Sequence, residues 1–141
     1  MQLHRAFYVS RTRLKDDFDI QSIVDASRTR NATLKVTGAL AFSGEHFAQV
    51  LEGAKPALEA LLTSIRRDPR HVILWEWPIA AVAERWYPSW WMGYLYNDRL
   101  EDVVGRLPAA PSLPPLETFV PALFSTSRLN RRSQTPPRPR G

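Results

Sequence analysis

Apolar positions repeat along the chain with a period of two in some stretches and near 3.6 in others, and the change of period predicts the elements. Leu3 to Ser10 reads as a strand, with His4, Ala6, Tyr8 and Ser10 on one face and Leu3, Arg5, Phe7 and Val9 on the other. Both faces carry apolar or aromatic residues near the C-terminal end, as in a strand covered on both sides. Asp16 to Ala32 reads as a helix with an inward stripe of Ile20, Ile23, Val24 and Ser27. Asp16, Asp17 and Asp19 at its start, and Arg28 and Arg30 near its end, suit the helix dipole. Continued by fours, the stripe runs Ile23, Ser27, Asn31 and turns polar as it proceeds. Val36 to Gly53 places two apolar runs around Ser43-Gly44-Glu45, the signature of a hairpin. In its second run Phe47, Gln49 and Leu51 share a face.

A second helix begins at Pro56, carries Leu58, Leu61, Leu62 and Ile65 at helical spacing, and stops at Arg67-Asp68, because the residue before Pro69 is steered out of the helical region. Val72 to Trp77 reads as a strand with Ile73, Trp75 and Trp77 on one face, ended by Pro78. Ser89 to Leu95 reads as a last strand with Trp90, Met92 and Tyr94 together. Asp98 to Leu107 is amphipathic through Leu100, Val103, Val104 and Leu107, and Leu116 to Leu123 adds a short helix interrupted by Pro121. These last segments are expected to cover the second face of the sheet or to mediate assembly. The order defines an α+β layout, one sheet with two helices on one face.

Composition changes this picture in two places. The 141-residue chain has net charge +5, yet Arg128, Arg131, Arg132, Arg138 and Arg140 lie in the final stretch, so residues 1–127 carry 14 basic against 14 acidic side chains. The basicity belongs to the tail and argues against a nucleic-acid-binding body. Eight of the 12 prolines lie from Pro108 onward, and Ser133 to Gly141 is expected to be disordered. The chain has no Cys, hence no disulfide, thiol nucleophile or cysteine metal site. No signal pattern and no run of 18 apolar residues appears, which predicts a cytoplasmic protein that does not enter the membrane.

Candidate chemistry centres on Gln49. It sits between Phe47 and Leu51 on a core-facing strand face, and a buried amide left unpaired costs about 1–3 kcal/mol. It pairs either with protein or with something bound. No Ser-His-Asp order, phosphate loop or metal cluster is visible, and His4, His46 and His71 are dispersed without ligand spacing. An enzyme on this scaffold is therefore disfavoured. A ligand-free interaction module remains as the alternative.

Five segments, in order, resemble one family. TGALAFSGEHFAQVLEG resembles the central hairpin of the BLUF domain, a blue-light sensor that binds flavin, where the pattern is T-G-x-L, a short turn, then F-x-Q-x-L-E-G. FYVS is similar to the family's first strand, with Tyr8 and Ser10 at matching positions. The first helix matches through Ile23, Ser27 and Asn31, and Arg30 departs from the Asn or His of many relatives. Asp68-Pro69-Arg70-His71 resembles D-x-R-H, and RWYPSWWMGY resembles R-x-F-x-x-W-x-M, so that Trp90 and Met92 fall on the switching Trp and Met. The resemblance covers Leu3 to Leu95. It implies a ferredoxin-like βαββαββ sheet with FAD held between the two helices. Ile23, Ser27 and Asn31 would lie along the flavin, Asp68, Arg70 and His71 near its polar side chain, and Tyr8 and Gln49 at the ring. It further implies a blue-light photoreceptor in which Tyr8 gives an electron and a proton, Gln49 changes its hydrogen bonds, and Trp90 or Met92 reads the change. The chain then divides into a flavin-binding domain 1–97, a helical extension 98–128 and a basic, Pro-rich tail 129–141. With no output domain following, a separate partner protein or a homo-oligomer is expected to carry the signal. Phe7, Val9 and Trp91, on the face the two main helices leave bare, support the homo-oligomer.

Overall fold

The computed structural model describes residues 2–13, 18–108 and 113–124. The elements are β1 (Leu3–Thr12), α1 (Phe18–Leu34), β2 (Thr37–Phe42), β3 (His46–Ala54), α2 (Lys55–Arg67), β4 (His71–Ala81), β5 (Gly93–Tyr96), α3 (Leu100–Arg106), a 3-10 turn at Leu116–Thr118 and α4 (Val120–Leu123). The expected acidic helix start at Asp16 and Asp17, and the tail 129–141 with its arginines, lie outside the described residues.

The five strands form one sheet in the order β4-β1-β3-β2-β5. β1 lies antiparallel between β3 and β4, β2 pairs antiparallel with β3, and β5 joins the far edge parallel to β2. This is the ferredoxin-like βαββαββ arrangement. Strand parity then divides the core in two. On the helix side, Ala6, Tyr8, Leu40, Phe47 and Leu51 meet Ile20 and Val24 of α1 and Leu58, Leu61, Leu62 and Ile65 of α2. Each such side chain, fully buried, stabilises by about 1.5–3 kcal/mol. On the other side, Phe7, Val9, Ala39, Ala48 and Val50 lie beneath Leu100, Val120, Leu123 and Phe124.

That second layer changes the case for self-association. Phe7 and Val9 are fully buried by the chain's own C-terminal segments. The bare apolar face that pointed to a homo-oligomer does not exist around them.

Several elements differ from the expected boundaries. α1 runs two residues further, to Leu34, so Arg28 and Arg30 stand before its last turn. It closes with Lys35 in the left-handed region (φ 57°) and with the Val36 N–H donating to the Asn31 carbonyl at 2.9 Å. β4 does not end at Pro78 but continues to Ala81. β4 is an edge strand, and Pro78 falls where the register with β1 slips between Arg5 and Phe7, so the missing N–H costs no ladder bond. A second slip, between Val9 and Ser10, turns Ile73 to the helix side while Trp75 and Trp77 stay on the other, against the shared face that simple alternation predicts. β5 is only four residues long, and Trp90 to Met92 precede it as irregular chain.

Candidate functional site

Tyr8 and Gln49 stand directly opposite one another on β1 and β3, both on the helix side. The Tyr8 hydroxyl donates to Gln49 Oε1 at 2.5 Å, and Gln49 Nε2 donates to Met92 Sδ at 3.4 Å. All three side chains are buried. Of the two ways to satisfy the Gln49 amide, the fold supplies partners within the protein at both ends. Burial pushes the Tyr8 phenol well above its usual pKa, with the nearby Arg30 charge only partly opposing, so Tyr8 is held as a protonated donor.

A cleft opens beside this chain, between α1 and α2. The cleft is open to solvent at its mouth. Tyr8, Gln49 and Phe47 form its floor, Ile23, Ser27 and Arg30 line one wall, and Ile65, Asp68, Arg70 and His71 line the other.

His71 is fixed at both ring nitrogens. Its Nε2–H donates to the Ile65 carbonyl at 2.7 Å, and the Ser10 hydroxyl donates to Nδ1 at 2.7 Å. The carbonyl can only accept, which places the proton on Nε2. Ser10 is fully buried and orients the ring rather than reaching into the cleft. Asp68 accepts from the Arg70 guanidinium at 2.6–3.0 Å and from the Arg70 N–H at 2.9 Å, and these hydrogen bonds hold its carboxyl below the usual range.

Two polar atoms on α1 are buried without a partner: the Arg30 Nε donor and the Asn31 Oδ1 acceptor. The Asn31 amide nitrogen is taken by the Trp91 carbonyl at 2.8 Å. A buried group left unpaired costs free energy that an occupant able to bond it would recover. The flavin edge alternates carbonyls with one N–H, so it matches one open acceptor and one open donor. Arg30 lines the cleft and its open donor fits such a group, whereas Asn31, next to it on α1, does not line the cleft.

Trp90 lies elsewhere. Its ring stacks on Tyr87 with centroids 5.9 Å apart, within the core on the far side of the sheet. Its six-membered ring covers Gly93 so closely that a Cβ added there would meet it at 2.2 Å. The expectation that Trp90, Met92 and Tyr94 share a face fails because the residues before β5 are not in a strand. Of the two switch candidates, only Met92 contacts Gln49.

Two further clusters were not apparent in the sequence. Glu52, fully buried, accepts from Arg5 Nε and from the backbone N–H groups of Trp86 and Tyr87, each at 2.8 Å, and the Arg5 guanidinium lies 3.5 Å from the Trp86 ring centroid. This pins the connector between β4 and β5 to the sheet. His46, read as isolated, meets Glu101 through Nδ1 at 2.7 Å, and Glu101 also accepts from the Ser43 hydroxyl at 2.5 Å. With Glu45 these are the one group of His and acidic side chains among the described residues spaced for a metal ion. Arg5, Glu52 and the connector are 34 to 81 residues apart, and Glu101 lies 55 and 58 residues from His46 and Ser43, beyond any local pattern.

A ferredoxin-like sheet with a cleft between its helices, floored by a hydrogen-bonded Tyr–Gln pair that leads on to Met92, has the form of a small-molecule-binding domain. Comparison with known proteins makes the assignment specific: the chain belongs to the BLUF family, "sensors of blue-light using FAD", whose profile matches residues 3–93. It is a blue-light sensor domain of that family. The photoactivated adenylate cyclase subunit beta of Euglena longa is 34% identical over 140 residues, covering 92% of this chain but 16% of that protein. The chain thus spans about a sixth of the length of the curated relatives it matches. The dark-state structure of BlrB, a BLUF protein, is 37% identical and covers 74% of this chain and 80% of that one, with a TM-score of 0.66. The photo-activated state of BlsA shares the fold at 21% identity and a TM-score of 0.65, covering 93% of this chain and 88% of that one. Among the described residues, no helix is long and apolar enough to cross a membrane.

Proposed function

We propose that the cleft between α1 and α2 holds FAD, and that the Tyr8–Gln49–Met92 chain converts light absorption into a change of hydrogen bonding. The observation that carries this reading is the cleft itself, which brings Arg30, with its buried and unpartnered Nε, to the same space as the buried Tyr8–Gln49 pair, with the unpartnered Asn31 Oδ1 one residue further along α1. When bound, the flavin supplies a light-absorbing electron and proton acceptor. Ile23 and Ser27 flank its ring, and Asn31 and Arg30 bond its edge. Asp68 and Arg70 meet the polar side chain at the cleft mouth. His71, with both nitrogens engaged, gives packing and orientation rather than a hydrogen bond.

Tyr8 holds the proton, and its hydroxyl donates to the Gln49 carbonyl oxygen. An amide has a donor end and an acceptor end. Reversing Gln49 turns its amide N–H toward the Tyr8 oxygen and its carbonyl toward Met92, whose sulfur has no proton to give, so the bond to Met92 is lost without backbone movement. Met92 then passes the change to β5, at the sheet edge beside α3. Trp90 packs from the other face of the sheet.

The chain works as a sensor rather than a catalyst: in its cleft Tyr8 is bonded to Gln49, Asp68 to Arg70, and His71 at both ring nitrogens. The signal leaves through a separate protein or a change of assembly, and a cysteine-free chain suits the cytoplasm. The experiment is purification in the dark, identification of the extracted flavin by chromatography, and a light-minus-dark spectrum. FAD with a reversible red shift is the expected result. Extraction of another flavin corrects the cofactor alone. Colourless protein that takes up no flavin overturns the reading in favour of a flavin-free interaction module.

A further inference from the structure

We propose that Arg28 is a positioning residue for Met92, holding the methionine backbone where its sulfur takes the Gln49 hydrogen bond. The proposal rests on the photoswitch reading above. Met92 stands one residue before the first β2–β5 pair, Ala39 opposite Gly93, so the strand ladder does not itself register it. Instead, three consecutive carbonyls are gripped by three separate donors. The Gly38 N–H takes Trp90 O at 3.0 Å, Asn31 Nδ2 takes Trp91 O at 2.8 Å, and Arg28 Nε takes Met92 O at 3.0 Å. Arg28 and Asn31 are three apart on α1 and therefore share a helix face.

The relative strengths of these bonds give Arg28 its role. Methionine is unbranched and flexible, and its sulfur is a weak acceptor. An N–H···S contact at 3.4 Å cannot by itself place a strand entry. A guanidinium-to-carbonyl bond is charge-assisted and about twice as strong as a neutral one. Arg28 is half-buried, and its other partner, Asp25, stands at 3.8 Å, a looser contact than the carbonyl. The weak bond that reads Gln49 therefore takes its geometry from the strong one. Arg28 does not line the cleft. Its removal is expected to leave flavin bound while freeing the Met92 segment.

The test uses the full chain as wild type, Arg28→Ala, Arg28→Gln and Arg28→Lys, each made with methionine carrying 13C at the carbonyl. Met1 is the only other methionine in the sequence, so Met92 supplies the one internal label. All forms are expected to retain flavin. In Arg28→Ala the Met92 carbonyl band should move to higher frequency, and the thermal return from the light state should change in rate by about tenfold, the size of one charge-assisted hydrogen bond. Arg28→Lys should restore most of both effects. Arg28→Gln, which keeps packing without charge, should resemble Arg28→Ala and stands in for it if the alanine form does not fold. An unmoved carbonyl band, an unmoved return rate, or a lysine form that behaves like alanine overturns the proposal. A wild type that binds flavin but shows no light-induced shift overturns the photoswitch reading, and the dark carbonyl comparison then still decides whether Arg28 holds Met92.

Discussion

Gln49 and Tyr8 are register partners across β1 and β3, and the phenol donates to the amide carbonyl at 2.5 Å while the same amide donates onward to Met92. One side chain on the central strand β3 thus joins a proton-bearing group on β1 to the residue that leads into the edge strand β5.

Gln49→Leu keeps approximate size and removes both polar ends. It leaves the buried Tyr8 hydroxyl without its partner, at a cost of about 1–3 kcal/mol. The variant should fold with a lowered melting temperature, bind flavin through α1, and show no light-induced red shift. A normal shift in flavin-loaded Gln49→Leu would sink the mechanism.

Tyr8→Phe removes the donor and keeps the ring, which packs edge-on against His71 at 5.8 Å. Flavin should remain bound and fluoresce more strongly, and the shifted state should not form. Steady-state fluorescence and difference spectra of the same sample check both statements.

Glu52→Ala leaves the Arg5 guanidinium buried and uncompensated and frees two backbone N–H groups. Breaking a buried ion pair from one side costs about 3–5 kcal/mol. Urea unfolding should show a loss of that order. A loss under about 1 kcal/mol would mean that the pair contributes little to holding the connector.

The Asp68 carboxyl titrates below its unfolded value because Arg70 bonds its charged form. A depressed folded pKa gives stability that is present above the unfolded pKa and lost as pH falls through the folded one. The melting-temperature difference between wild type and Asp68→Asn should therefore be constant above about pH 5 and shrink below about pH 4. A difference that grows as pH falls would contradict the assignment.

Gly38→Ala should not yield folded protein. A Cβ there would lie 2.0 Å from the Val50 carbonyl oxygen, and both partners are backbone inside the sheet. Soluble, flavin-binding Gly38→Ala at wild-type yield would refute this.

Local pattern determined much of this protein. Period-two alternation set which faces of β1 and β3 Tyr8 and Gln49 occupy, because side-chain direction in an unbroken strand follows from parity alone. Helical spacing likewise determined the buried stripe of α2. Ile20, Val24 and Ser27 of the expected α1 stripe lie buried, while Ile23 lines the cleft. Of the residues the family motifs named for the flavin, Tyr8, Ile23, Ser27, Gln49, Asp68, Arg70 and His71 line the cleft, and Ser10 and Asn31 do not.

Tertiary structure decided the rest. Parity fails wherever the ladder is interrupted, so the slips in β4 turned Ile73 away from Trp75, and the irregular entry to β5 sent Trp90 and Met92 to opposite sides of the sheet. The grip of Arg28 and Asn31 on successive carbonyls, and the Glu52 latch on the connector, join elements 34 to 64 residues apart. Neither leaves a trace in composition or period. Whether Phe7 and Val9 were exposed depended on α3 and α4 folding back over them. A residue's own periodicity shows that it must be buried, and only the packed chain shows by what.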